Sequence, residues 1–95
     1  MTPEGRVKVK VKALLKRHKI YYHMPVMNGM GSPTLDFICC VNGRFFAIET
    51  KAPGKKPTPR QEVTMKQMAD SGAFVFVVTN DDELCTLSAY LELMV

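Results

Sequence analysis

The order of apolar patterns in this 95-residue chain predicts a small mixed-sheet α/β sandwich, running helix, strand, strand, strand, helix, strand, helix. Three observations carry that reading. Two apolar runs, over 35–41 and 44–50, flank Asn42-Gly43, a strong hairpin signal because a type I′ turn needs positive φ at both central positions. Thr58-Pro59-Arg60-Gln61 joins an N-cap threonine, a first-position proline and a third-position glutamine, the pattern of a capping box. Residues 73–79 (AFVFVVT) are dense in β-branched and aromatic side chains, as a buried strand requires.

The elements follow in order. Thr2 is an N-cap candidate, Pro3 suits the first helical position, and Glu4 suits the positive end of a helix dipole. Val7, Val11, Leu14, Leu15 and His18 recur at helical spacing, with Lys8, Lys12, Lys16 and Lys19 largely off that stripe. The alternation over 7–12 also fits a strand, but Ala13, Leu14, Leu15, Lys16 and Arg17 continue it with strong helix formers. Residues 20–26 (IYYHMPV) read as a strand that Pro25 confines to an edge or a bulge. Residues 27–33 (MNGMGSP) read as a flexible loop. The two hairpin runs are apolar on both faces, as central strands covered on each side should be. After the basic connector 52–57 (APGKKP), a second helix starts at Thr58 and stops at Ser71-Gly72. Asn80 or Asp81 then caps a last helix with the stripe Leu84, Leu87, Leu91. No repeat or second domain interrupts residues 1–95.

Composition narrows the function classes. An apolar content of 46% supports a core, no run reaches the ~18 apolar residues of a membrane span, and the first residues do not resemble a signal peptide. Three cysteines, two of them adjacent, offer no disulfide framework and suit buried thiols in a reducing cytoplasm. His18 and His23 lie far from any Cys-x-x-Cys pair, which speaks against a structural zinc site. A net charge of +4 is compatible with a polyanionic partner.

The chemistry concentrates in residues 36–51 (DFICCVNGRFFAIETK). A two-residue turn sets Val41 opposite Arg44 and therefore Asp36 opposite Glu49, with Cβ atoms roughly 4.5–5.5 Å apart. Period-two alternation puts Lys51 on the same face. Two carboxylates and an ammonium thus share the open end of the hairpin, and a hard divalent cation with oxygen ligands is the natural relief. Glu4, one turn before Val7 and Val11, faces the core either as a first-turn acid or as a further ligand. Gln61 shares a face with Met65, Met68 and Gly72, so it serves the cap, the carboxylates, or both.

At these residues the sequence resembles a known family. Asp36 followed by Glu49-Thr50-Lys51 is similar to the core of the PD-(D/E)XK nuclease superfamily. Gly31-Ser32-Pro33 ahead of Asp36, Ala52-Pro53-Gly54 after Lys51, and Gln61 opening the next helix resemble the virus-type replication-repair nuclease (VRR-NUC) family. The family usually has Asp directly after Pro; here Thr34 and Leu35 intervene. The resemblance implies a metal-dependent endonuclease acting on branched, flap or junction DNA, in repair or phage replication, within a bacterial or phage-infected cytoplasm. It implies Mg²⁺ or Mn²⁺ held by Asp36, Glu49, the Thr50 carbonyl and Glu4. Lys51 and Gln61 would complete the catalytic set with Asp36 and Glu49. The two-fold dimers of the superfamily imply a homodimer; the apolar stripe of the last helix either serves that contact or completes the core. Lys55, Lys56 and Arg60, with Lys8 and Lys12 on the first helix, are the candidate phosphate contacts. Competing readings are a Holliday-junction resolvase of the same superfamily, a nucleic-acid-binding module without chemistry, and an inert assembly protein.

Overall fold

The structure is a computed structural model that describes residues 1–26 and 31–95. Three helices and four strands alternate as α1 (Pro3–Arg17), β1 (Tyr21–His23), β2 (Phe37–Val41), β3 (Arg44–Thr50), α2 (Pro59–Asp70), β4 (Phe74–Val78) and α3 (Asp81–Met94). The sheet order is β1-β2-β3-β4; the first three strands are antiparallel and β4 joins β3 in parallel. The mixed α/β sandwich expected from the sequence is therefore present.

The turn behaves as its residues dictate. Asn42 and Gly43 both have positive φ, 50° and 76°, and Val41 pairs with Arg44 while Phe37 pairs with Ile48. Asn42 does more than turn the chain: its Nδ2 donates to the carbonyl of Met94 at 2.7 Å. That bond satisfies one of the carbonyls that the end of α3 leaves open.

The helices divide between the two sheet faces. From α1 come Val7, Val11, Leu14 and Leu15; from α3, Leu87, Leu91 and Met94. These pack on one face against Phe37, Cys39, Phe46, Ile48 and Val78. The α3 stripe thus completes the core, and the alternative that gave it to a second copy is not what the fold uses. Beyond it Leu93 and Val95 are exposed. The opposite face is covered only in part. There α2 packs on β4 and reaches β3 through the hydrogen bond from Gln61 to Glu49, and Ala47 and Thr64 are buried. It leaves the row Tyr21, Cys40 and Phe45 in the open, Tyr21 at 72% and Phe45 at 44%.

Four sequence expectations need correction. The strand expected over 20–26 shrinks to Tyr21–His23, because Pro25 cannot donate to the ladder. β2 begins at Phe37, so Asp36 sits one residue ahead of it, although Leu35 is still buried. β4 is an edge strand whose first residue, Phe74, is half exposed, so apolar density there did not mean full burial. Cys39 is a buried thiol, pushed up to about 12 by burial, but Cys40 and Cys85 are exposed. The loop reading for 27–33 falls mostly outside the described residues.

Candidate active site

Asp36 and Glu49 meet at the end of the sheet where the hairpin opens, and the local sequence explains how each is held. Asp36 Oδ2 accepts from the Thr50 N–H at 2.9 Å and from the Thr50 hydroxyl at 2.7 Å. Glu49, only 3% exposed, accepts on Oε2 from Gln61 Nε2 at 2.9 Å. Lys51 Nζ stands 3.9 Å from the same Oε2, with its side chain 14% exposed. Charge-assisted hydrogen bonds of this kind are roughly twice as strong as neutral ones, so both carboxylates are oriented before any ligand arrives.

Gln61 takes both roles open to it. Its Oε1 accepts from the Thr58 N–H at 2.9 Å, its own N–H donates to Thr58 Oγ1 at 3.2 Å, and its Nε2 reaches Glu49. The capping box that starts α2 thereby fixes the direction of the amide: the oxygen is committed to the helix start, which leaves the NH₂ for the carboxylate.

Electrostatics mark Glu49. Its pKa is raised from 4.5 to about 7, first by burial and then by the Asp36 charge, with Lys51 pulling the other way and Glu4 adding a further push upward. Perturbation by desolvation and by a like charge is characteristic of functional sites. The cleft in front of the pair, about 470 Å³, is lined by Gly31, Pro33, Thr34, Asp36, Glu49, Thr58, Arg60, Gln61 and Thr64.

The remaining candidates divide into two groups. Glu4 does not cap α1 with its side chain; Thr2 Oγ1 does so, accepting from the Gly5 N–H at 2.9 Å. Instead Glu4 Oε2 pairs with Lys8 Nζ at 3.4 Å, and the same Nζ lies 3.7 Å from Asp36 Oδ1. Lys8, a phosphate contact by the sequence reading, therefore lies between two acids of the site. The signal was available in the Glu4-Lys8 spacing, but the approach of Asp36 is tertiary. Arg60 lines the cleft, Lys55 and Lys56 are exposed on the connector ahead of α2, and Lys12 is exposed on α1 one turn beyond Lys8. Among the described residues no three His, Cys, Asp or Glu side chains cluster tightly enough to enclose a metal ion. A divalent ion here would rest on few protein ligands, foremost Asp36 and Glu49. Magnesium is commonly bound that way, through one or two carboxylates with water or phosphate in the other positions.

A four-stranded mixed sheet with an acid pair and a lysine at one end, and a helix-start glutamine on the second acid, is similar to the PD-(D/E)XK nuclease core that the sequence resembles. A solved structure described as a VRR_NUC domain superposes with a TM-score of 0.79, covering 92% of this chain and 95% of that chain at 26% identity. No family model matches the sequence, and no curated protein matches it. Over nearly its whole length the chain is therefore similar to a VRR-NUC nuclease domain.

Proposed function

We propose that this domain is a metal-dependent endonuclease that hydrolyses DNA phosphodiester bonds and selects branched, flap or junction structures over sequence. The supporting observation is the pair Asp36 and Glu49, adjacent and oriented, with Glu49 buried and pushed upward in pKa by Asp36, and with Lys51 beside it. Two oxygen donors of like charge suit Mg²⁺ or Mn²⁺. When bound, such an ion lowers the pKa of its water and polarises the phosphoryl group.

The side chains supply the rest. Asp36 and Glu49 would hold the ion, with the Thr50 carbonyl as a further ligand of this reading; Glu4, paired with Lys8, would reach it only by giving up that partner. Lys51 stabilises charge building on the phosphate. Gln61 keeps Glu49 turned toward the reaction centre. Arg60 enters the cleft, while Lys55, Lys56 and Lys12 neutralise phosphates on either side without reading bases. No motif for base readout accompanies these cations, which favours recognition of DNA shape.

A homodimer belongs to the same proposal, because a junction has two symmetry-related phosphates to cut. With the α3 stripe in the core, the uncovered row Tyr21, Cys40 and Phe45 is an apolar surface open to a two-fold contact. Among the described residues no helix is long and apolar enough to cross a membrane.

The deciding experiment is cleavage of labelled linear, flap and four-way DNA with Mg²⁺, Mn²⁺ or EDTA. Cleavage of branched forms that EDTA abolishes is the expected result. Binding that ignores EDTA, with no cleavage of any form, would leave only a DNA-binding module.

A further inference from the structure

Among the described residues, Lys8 is the one cation of α1 whose ammonium lies against the site's acids. Lys10 pairs elsewhere, with Asp81 at 2.8 Å, and Lys12 and Lys16 have no carboxylate partner among the described residues. The spacing of Glu4 and Lys8 puts both on one side of the helix, a turn apart. From there Nζ reaches Asp36 Oδ1, the oxygen that Thr50 leaves open after taking Oδ2 with two hydrogen bonds.

Charge arithmetic then constrains what happens when an ion binds. With all three acids ionised, as an ion requires of Glu49, Glu4, Asp36 and Glu49 against Lys8 and Lys51 leave a net charge of −1. Adding a divalent ion turns that to +1 if Lys8 stays. An ammonium and a divalent cation drawn to the same carboxylate repel at short range in a partly desolvated site. Lys8 also has the means to leave: its side chain is one-third exposed, on a flexible four-carbon stem anchored to a helix outside the sheet.

We propose that Lys8 is an exchangeable counter-cation of the acid pair: it neutralises Asp36 through the oxygen an ion would take, and ion binding releases it to grip the substrate phosphate. This rests on the metal-dependent reading above. It deepens that reading by making Lys8 a positioning residue that couples metal binding to DNA binding. In apo protein the lysine spares the site its uncompensated charge. In the loaded protein the same ammonium becomes one further phosphate contact, so the metal strengthens DNA binding beyond its own charge.

The test is Mn²⁺ titration by calorimetry of wild type, Lys8→Met, Lys8→Arg and Lys12→Met. Lys8→Met should bind Mn²⁺ at least about tenfold more tightly, since a competing charge has gone. Lys12→Met, which removes the same charge one turn away, should stay close to wild type, and Lys8→Arg should keep the weaker wild-type affinity. In a Lys51→Ala background, which slows cleavage, the gain in DNA affinity on adding Mn²⁺ should shrink when Lys8→Met is also present. Unchanged or weaker Mn²⁺ binding by folded Lys8→Met, or an equal gain in Lys12→Met, would overturn the exchange. Absence of Mn²⁺ binding from every variant, wild type included, would overturn the metal-dependent reading and the exchange together.

Discussion

At the scale of single residues, Glu49 gives the site its dependence on pH. Its pKa of about 7, raised from 4.5, means that the folded protein takes up a proton there between those values, where the unfolded chain does not. The sign follows: the protonated acid favours the apo fold, and that contribution fades as pH rises from 4.5 through 7. A metal ion requires the ionised form, so protons compete with it. The Mn²⁺-induced rise in melting temperature should therefore be larger at pH 8 than at pH 6. Asp36→Asn should abolish the rise at both; equal shifts in Asp36→Asn and wild type would refute the assignment. Glu49→Gln should raise the apo melting temperature at pH 8 and remove this dependence, because it keeps a partner for Gln61 without the buried charge. The proposed function gives Lys51 to the chemistry rather than to binding. Lys51→Ala should cut cleavage by ~10²–10³, the usual cost of one electrostatic stabiliser, while DNA affinity changes far less. Retained cleavage in that variant would refute the role.

At the scale of elements, the hairpin is the part most legible in the sequence. Asn42-Gly43 determined the turn, the turn determined the register, and the register brought Asp36 to Glu49. The capping box at Thr58 was equally readable, and so was the inward direction of Gln61. Long-range placement was not readable. Nothing local to α1 says that Lys8 meets Asp36, because the packing angle of a helix on a sheet is decided by contacts distant in sequence. Nor could composition say that β4 is an edge, since a half-covered strand and a fully covered one draw on the same residues. The double use of Asn42 was likewise hidden: its turn role is local, while its bond to Met94 joins residues 52 apart in sequence. The α3 stripe supports a measurement. Leu91→Ala should lower unfolding free energy by about 2–5 kcal/mol, as for other fully buried leucines, and the decrease should not vary with protein concentration. A concentration-dependent decrease in chemical denaturation would return Leu91 to an interface.

At the scale of the whole molecule, the two kinds of lysine separate. In the proposed function, those near the acids act on charge at the reaction centre, while Lys55 and Lys56, exposed on the connector, act on the polyanion as a whole. Removing both with Lys55→Ala and Lys56→Ala should weaken DNA binding and flatten its salt dependence by about 1.8 in log–log slope, roughly 0.9 for each phosphate no longer neutralised. Turnover of bound DNA should persist. An unchanged slope would show that DNA runs elsewhere on the surface. Assembly is read at this scale too. Light scattering at micromolar concentration should give twice the 10.7 kDa of one chain. Tyr21→Ser combined with Phe45→Ser should return it to one. A species of 10.7 kDa, with or without DNA, would leave a nicking activity on one strand as the consistent alternative.

The amide of Gln61 joins the start of a helix to a carboxylate of the site. One end closes the first turn of α2 and the other steadies Glu49, so the first turn cannot fray without loosening the carboxylate. The segment entering that turn carries Lys55 and Lys56, and Arg60 sits within it. In the proposed complex, tension from a gripped DNA backbone would be delivered to Thr58 and onward to the acid pair, like a taut line on a latch. In hydrogen–deuterium exchange, the N–H groups of Gln61 and Glu62, bonded to Thr58 Oγ1 and Thr58 O, become clocks for the readiness of the site. They should slow when DNA is held, and they should quicken in Thr58→Ala together with a fall in cleavage.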